Sequence, residues 1–295
     1  MHPAILTPAV TVPFAKRLTS ADGTAVYAEA IGDPSNPSIV FLHGFSLSTV
    51  VWDCIFHEPR YTDKFYLVRY DLRGHGRSGK PETPEGYASE RFAQDFAAVM
   101  EAFDLKRPVL VGWSMGSIVI TDIAAHLPPT TLSGAICISS LPYLAGDAGR
   151  RIMSPTILEI ASGSLQNADV GLFAKTKIRF LDSLFSHPDQ ISHELKCLWL
   201  GASLACTPAD MTLGFSRTQD PEPMYKMARE GTLPLLVLQG RLDGHLDAEK
   251  LVAEIKPLWK DAEVVILEGI GHAVFYEDTE GVMQRIGHFV RRVQA

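Results

Sequence analysis

Hydrophobic and polar positions along this chain follow a pattern that predicts strands separated by helices. Short apolar runs bounded by glycine, proline or polar residues are typical of buried strands, and apolar faces at three- and four-residue spacing indicate helices. Eight strands are predicted, with helices between the later ones. They cover residues 12–20, 25–31, 38–42, 65–70, 108–112, 134–139, 233–239 and 262–267. This alternation is typical of an α/β fold with a mostly parallel sheet that helices cover on both faces.

One long interval departs from this spacing. Residues 141–231 contain no convincing strand, and a structureless loop of that length is uncommon in a compact domain. Apolar side chains at helical spacing, such as Leu181 and Phe185, indicate helices instead. We therefore predict a core domain of residues 1–140 and 232–295, with a helical cap inserted at residues 141–231. The cap is expected over the carboxyl ends of the strands, where ligands bind in open α/β sheets.

A serine lies at the apex of one predicted strand–turn–helix unit. Residues 112–116 read Gly-Trp-Ser-Met-Gly, directly after an apolar strand run and before a stretch that is apolar enough for a buried helix. This context is typical of a nucleophile elbow, in which a sharp turn exposes the serine and close packing leaves room only for glycine on either side. Ser114 is therefore the candidate nucleophile.

Two later strand ends deliver the groups that such a serine needs. A serine hydroxyl is a weak nucleophile unless a base activates it and a further group orients that base. The strand run at residues 235–238 leads into Gln-Gly-Arg-Leu-Asp, which ends at Asp243. The run at residues 264–267 leads into Glu-Gly-Ile-Gly-His, which ends at His272. The chain order of nucleophile, acid and histidine allows a Ser-Asp-His triad.

Together these motifs resemble those of serine hydrolases of the α/β-hydrolase superfamily, and the resemblance covers nearly all of the chain. Residues 39–45, Ile-Val-Phe-Leu-His-Gly-Phe, resemble the strand and His-Gly turn of that superfamily, and residues 70–78 resemble its next strand and glycine-rich loop. The resemblance implies the α/β-hydrolase fold and an esterase-like activity. It also implies an oxyanion hole formed by the backbone N–H groups of Phe45 and Met115.

The resemblance assigns a role to each member of the triad. Ser114 would attack an acyl carbonyl, His272 would remove and later return the proton, and Asp243 would orient the imidazole. Asp247 competes for the acid role from a position deeper in the same loop, but the superfamily's Gly-x-x-Asp pattern fits Gly240 to Asp243.

Other conspicuous residues are interpreted as structural. The basic run at residues 175–179 is expected to be a solvated helix face. Four histidines outside the candidate triad are expected to have no direct chemical role; they are His43, His75, His245 and His288.

Composition narrows the class of protein further. The 295 residues are 46% hydrophobic and 21% charged, which is enough to bury a sizeable core. The net charge of -7 is spread without long charged blocks, so no nucleic-acid partner is expected.

The N-terminus lacks a signal-peptide pattern and no apolar stretch is long enough for a membrane span, so we expect a cytoplasmic protein without a membrane partner. The four cysteines lack metal-ligand spacing, and neither a metal nor a cofactor is expected; the oligomeric state stays open.

The expected partner is a small-molecule substrate. Trp113 and Phe45 flank the nucleophile and the oxyanion hole, so they are the candidate substrate-binding residues for an apolar group near the reacting carbonyl. We predict hydrolysis of a small to medium, largely apolar carboxylic ester or lactone through an acyl-enzyme. A carbon–carbon bond hydrolase or a perhydrolase with the same triad is one alternative, and a hydrolase-derived small-molecule receptor is an alternative from another class.

Overall fold

An eight-stranded sheet forms the centre of the molecule. The structure is a computed structural model that describes residues 12–144, 146–165 and 168–294, so predictions for the first eleven residues lie outside it. The strands, in chain order, are β1 (Phe14–Thr19), β2 (Ala25–Ile31), β3 (Ser38–Leu42), β4 (Tyr66–Tyr70), β5 (Val109–Trp113), β6 (Gly134–Ile138), β7 (Leu235–Gly240) and β8 (Glu263–Leu267). Their order across the sheet is β1-β2-β4-β3-β5-β6-β7-β8. Only the pairs β1–β2 and β2–β4 are antiparallel among these strands, which confirms the predicted mostly parallel α/β sheet.

Helices cover the sheet and fill the interval between β6 and β7. In chain order they are α1 (Asp53–Phe56), α2 (Pro59–Thr62), α3 (Ser89–Ala102), α4 (Val119–His126), α5 (Asp147–Ile152), α6 (Pro155–Ser164), α7 (Val170–Asp182), α8 (His193–Leu204), α9 (Pro208–Phe215), α10 (Glu222–Glu230), α11 (Ala248–Ile255), α12 (Val274–Glu277) and α13 (Thr279–Val293). Short 3-10 helices lie at Thr49–Trp52, Pro84–Tyr87, Ser114–Ile118 and Pro188–Gln190. Across residues 12–144, 146–165 and 168–294, none of these helices has both the length and the hydropathy that crossing a bilayer requires.

The sheet separates two hydrophobic clusters, because alternate residues of a strand face opposite sides. In β3, Val40 and Leu42 belong to one cluster, whereas Ile39 and Phe41 belong to the other. Helices α3, α4 and α11 contribute to the first cluster, and α1 and α13 contribute to the second. The central strands are therefore buried on both faces, which explains why they are continuous apolar runs in the sequence.

The segment between β6 and β7 is helical, as its spacing predicts. In the described parts of residues 141–231 it contains α5 to α10 and no strand. Thr207 and Asp210 form a capping box at the start of α9, and α10 is capped at its C-terminus by Gly231, whose φ of 68° lies in the left-handed region. Side chains of α10 such as Met224 pack in the same cluster as α4 of the core. Because a helix of the predicted cap packs against a helix of the predicted core, the division of the chain into core and cap stays a prediction.

One interpretation of the cap sequence is wrong. Lys175 and Arg179 are exposed, as expected for a solvated helix face, but Lys177 between them is completely buried. The reason is the helical period: Lys177 lies three and four residues before Phe180 and Leu181, so it shares their buried face of α7.

Candidate active site

The candidate nucleophile occupies a strained turn at the carboxyl end of β5. Ser114 has a φ of 51°, in the left-handed region that non-glycine residues rarely adopt, and it is partly exposed. A Cβ atom on Gly112 would lie 2.4 Å from Cα of Ser117, and one on Gly116 would lie 2.5 Å from the carbonyl oxygen of Leu42. Both flanking positions therefore require glycine, and the turn presents the serine at the edge of the sheet.

The candidate acid and base meet where β7 and β8 end. Nδ1 of His272 lies 2.8 Å from Oδ2 of Asp243, and both side chains are buried. Oδ2 also accepts a hydrogen bond from Nε2 of Gln239 at 2.7 Å. Oδ1 accepts from the backbone N–H groups of His245 at 2.7 Å and Leu246 at 3.1 Å. The carboxylate thus receives four hydrogen bonds, which hold it in one orientation.

This arrangement decides the protonation of the pair. Burial by itself raises the pKa of the Asp243 carboxyl, but attraction to His272, the hydrogen bond from it and the further donors outweigh burial, so the pKa lies below its ordinary value of 3.8. Asp243 is therefore ionised at neutral pH and accepts only. In the neutral imidazole the proton then lies on Nδ1, which leaves Nε2 of His272 as the nitrogen that can take a proton.

Contacts between strand ends bring the histidine loop to the elbow. The carbonyl oxygen of His272 accepts hydrogen bonds from Nε1 of Trp113 and from Oγ of Ser139, each at 3.0 Å. The rings of Trp113 and His272 lie 5.6 Å apart between centroids, and Trp113 directly precedes Ser114. Within the described residues no hydrogen bond joins Ser114 to His272, and such bonds commonly tighten only when substrate binds.

The predicted oxyanion-hole turn lies against the elbow. A Cβ atom on Gly44 would lie 3.1 Å from the Trp113 ring and 3.3 Å from Cβ of Ser114, so Phe45 follows a point of close approach to the nucleophile. Phe45 is partly exposed, and no acceptor among the described residues takes its backbone N–H. Met115, the other predicted donor, directly follows Ser114.

His43 fixes this turn and does not face the reacting groups. Its Nδ1 donates to the carbonyl oxygen of Gly44 at 2.8 Å, and its Nε2 accepts from the Leu72 N–H at 3.0 Å. Burial lowers the pKa of His43, which keeps the ring neutral for these two bonds. The residue therefore has the structural role that was expected.

The competing acid lies outside the candidate triad, and another histidine packs beside the triad without being charged. Asp247 caps α11 by accepting from the Lys250 N–H at 3.0 Å, and its side chain is exposed. His245 is buried, with Nε2 2.7 Å from Oγ of Ser183 and its ring 4.2 Å from that of His272. Burial, and then the nearby His272, lower the pKa of His245 well below 6.5, so it adds no charge beside the base. His288 is exposed on α13.

Two contributions to this site were not predicted from the sequence. Gln239 orients the Asp243 carboxylate, and its only sequence signal is a polar residue inside the buried run of β7. Trp113 was predicted to bind substrate, but its side chain is only 1% exposed and its indole N–H is bonded to the His272 carbonyl. Its burial argues against direct substrate contact, because the ring packs beneath the elbow and supports the histidine loop.

Aromatic side chains from the segment between β6 and β7 pack on the ring of Phe45. The Phe45 ring lies 6.0 Å from the ring of Phe180 in α7 and 5.1 Å from that of Phe215 in α9, measured between centroids. In the described part of the chain, no cluster of three or more His, Cys, Asp or Glu side chains is arranged to hold a metal ion. The site thus consists of a partly exposed serine, a buried Asp-His pair and the aromatic rings that pack on Phe45.

Comparisons with known proteins identify the family to which the chain belongs. A sequence profile of the alpha/beta hydrolase family matches residues 39–285, and the chain belongs to that family. Pimeloyl-(acyl-carrier protein) methyl ester esterase of Klebsiella pneumoniae (strain 342) is 29% identical over 255 residues, which cover 85% of this chain and 91% of that protein.

Solved structures extend the likeness to the fold. A provisionally named aryl esterase from Burkholderia cenocepacia aligns with a TM-score of 0.84 at 28% identity, over 95% of this chain and 99% of its own. The esterase RhEst1 from Rhodococcus sp. ECU1013 aligns with a TM-score of 0.83 at 24% identity, over 95% of this chain and 99% of its own, which bears on the fold alone. The predicted likeness to esterases of the α/β-hydrolase superfamily is confirmed.

Proposed function

We propose that this α/β hydrolase cleaves a small to medium, largely apolar carboxylic ester or lactone through an acyl-enzyme on Ser114. The observation that carries the proposal is the buried Asp243–His272 pair, 2.8 Å apart, at the same sheet edge as a serine held at a φ of 51°. A strained, partly exposed serine beside an oriented base is the arrangement that nucleophilic acyl transfer needs.

The chemistry follows from the protonation of the pair. Nε2 of His272 takes the proton of Ser114 as its oxygen attacks the acyl carbonyl, and Asp243 stabilises the imidazolium that forms. The imidazolium then protonates the leaving alkoxide, so an alcohol departs and an acyl-enzyme remains. Water repeats the sequence with His272 as the base, which releases the carboxylic acid and regenerates the serine.

The oxyanion of each tetrahedral intermediate needs donors that are already in place. We assign this role to the backbone N–H groups of Phe45 and Met115, since the turn at Gly44 approaches the elbow to within about van der Waals contact. Loss of one such donor typically raises the barrier by about 3 to 4 kcal/mol. The close approach at Gly44 therefore contributes several kcal/mol to the rate in addition to the contribution of the triad.

The substrate class rests on the cap and on the relatives. Phe45, Phe180 and Phe215 place apolar rings around the proposed hole, which favours an apolar acyl or aryl group over a charged one. The compared proteins include a methyl ester esterase and a provisionally named aryl esterase. We propose further that the helices of the cap select the acyl group, because they supply Phe180 and Phe215.

A panel of p-nitrophenyl esters and lactones tests the proposal. We expect steady-state turnover by the wild-type enzyme, and we expect Ser114→Ala to abolish turnover while the fold and ligand binding persist. A fluorophosphonate should label wild-type protein on the peptide that contains Ser114 and should not label the variant. Saturable binding without turnover would support the receptor alternative, and an active Ser114→Ala variant would exclude Ser114 as the nucleophile.

A further inference from the structure

A buried lysine of the cap lies beside the proposed oxyanion hole. The Lys177 ammonium, on α7, donates to the carbonyl oxygen of Ser203 at 3.1 Å and lies 3.5 Å from Sδ of Met211. It also lies 5.9 Å from the centroid of the Phe45 ring and 5.4 Å from that of Phe173. Within the described residues no carboxylate forms an ion pair with it. Burial of a cation in these surroundings raises the free energy of the folded state, and apolar side chains of similar volume would fill the same space without that penalty.

The same cluster is connected to the turn that carries the hole. Oγ of Ser203, on α8, is hydrogen-bonded to Oγ of Ser46 at 2.8 Å, and both serines are completely buried. Ser46 directly follows Phe45 and has a φ of 55°, a conformation that persists only when its surroundings hold it. A chain of contacts therefore runs from the Lys177 ammonium through Ser203 to Ser46, while the ammonium faces the Phe45 ring directly.

We propose that Lys177 and Ser203 are positioning residues for the oxyanion hole, which hold Ser46 and the Phe45 N–H in place when the cap lies on the core. This inference rests on the proposed function of Ser114, and it makes the cap a part of the catalytic apparatus as well as a selector of substrates. A carbonyl bound by an ammonium is held by a charge-assisted hydrogen bond, which is stronger than a neutral one.

The charge of Lys177 makes this role sensitive to pH. Burial lowers the pKa of Lys177 to about 8, and the nearby Cys206 only partly opposes this lowering. The titratable groups that face it are Cys206 and His75, and Lys80 and Asp210 lie beyond them. Burial raises the pKa of Cys206 to about 12. Burial, together with the nearby His43 and Lys80, lowers the pKa of His75 well below its ordinary value. Neither Cys206 nor His75 therefore changes charge near pH 8. The positioning should weaken as pH rises through about 8.

The test compares Lys177→Met, Ser203→Ala and the double variant with the wild-type enzyme, using p-nitrophenyl butyrate between about pH 6 and about pH 10. The control is Lys175→Met, an exposed lysine of the same helix. We expect Lys177→Met to lower kcat about tenfold below pH 8 with KM unchanged, since the hole acts in the transition state. The wild-type kcat should fall as pH rises through about 8, and Lys177→Met should lack this fall. Ser203→Ala should have the same effects, because it breaks the connection to Ser46 while leaving the Ser203 carbonyl for Lys177.

The double variant separates a shared path from two independent effects. One chain of contacts predicts that it is no slower than the slower single variant, whereas multiplied losses would overturn the proposal. Wild-type kcat and an unchanged alkaline step in Lys177→Met would also overturn it. If Lys177→Met failed to fold, the alkaline profile of Ser203→Ala would decide in its place.

A second readout is independent of ester hydrolysis. In a Ser114→Ala background, the NMR amide signal of Phe45 should shift with pH around 8, and Lys177→Met should remove that shift. A response of the Phe45 amide together with no turnover of any ester would contradict the proposed function alone. Turnover together with a silent Phe45 amide would contradict the positioning role alone.

Discussion

Replacing Asp243 by Asn tests the candidate triad most directly, because Asp247 offers a matched control in the same loop. The Asp243 carboxylate accepts four hydrogen bonds, two on each oxygen. An amide presents one oxygen and one NH2, so either orientation places an NH2 group against two donors. If the NH2 faces His272, Nδ1 must become the acceptor, and Nε2 then carries the proton and cannot act as the base.

The expected magnitude follows from these contacts. A wrong tautomer in a triad typically lowers kcat roughly 10⁴-fold, which corresponds to about 5 kcal/mol of barrier. In that orientation the NH2 of Gln239 also loses its acceptor, which should lower the free energy of unfolding by about 1 to 3 kcal/mol. Asp247→Asn should change kcat less than about twofold, because Asn caps a helix as well as Asp does and Asp247 only caps α11.

The assay is kcat for p-nitrophenyl esters, measured at a temperature where urea titration shows each variant to be fully folded. Comparing kcat at equal folded fractions separates the catalytic loss from the loss of stability. The reasoning is refuted if Asp243→Asn retains more than about a tenth of the wild-type kcat, or if Asp247→Asn is the inactive variant.

Three further predictions address packing, selectivity and pH. Gly116→Ala should destabilise the fold by several kcal/mol, since its Cβ would lie 2.5 Å from a backbone oxygen of β3. Gly201→Ala should be neutral or stabilising, because position 201 in α8 has open space around it. Thermal unfolding measures the stability of both variants. Phe180→Ala should change the ratio of kcat/KM between short and bulky acyl esters, because Phe180 packs on Phe45, while Ile178→Ala on the exposed face of α7 should not. The Asp243 pKa is lowered in the folded protein despite burial, so its contribution to stability is present above its unfolded value of 3.8 and is lost as pH falls through the folded value. Urea unfolding at stepwise lower pH should show this loss in the wild type and not in Asp243→Asn.

Each of these has a result that contradicts it. Equal melting temperatures for the two glycine variants would mean that the elbow can expand. A Phe180→Ala variant that lowers activity on every ester by one factor would remove the cap from acyl selection. Unchanged wild-type stability across the acid range would mean that the carboxylate pair adds nothing to folding.

Local patterns in the sequence were sufficient for the sheet and the elbow. Periodicity depends only on neighbouring residues, so all eight strands were predicted with bounds close to those of the structure. The glycine at position 112 follows from a clash within the turn itself, whereas the clash at Gly116 is with β3, so there the sequence motif stands for a contact that only the fold makes. The choice of Asp243 over Asp247 came from a superfamily pattern, and the geometry agrees because only Asp243 reaches His272.

Contacts between distant parts of the chain decided the rest. Lys177 was expected in solvent because of its charge. The helical period places it on the buried face of α7, and the packing of α7 on α8 then sets a carbonyl beside its ammonium. Trp113 was expected in the pocket because it is next to Ser114, but its ring is buried in the second hydrophobic cluster and its indole N–H donates to the His272 carbonyl in the loop after β8. Sequence spacing does not encode how one helix is rotated against another, so only the tertiary structure could join the cap lysine to the turn at Phe45.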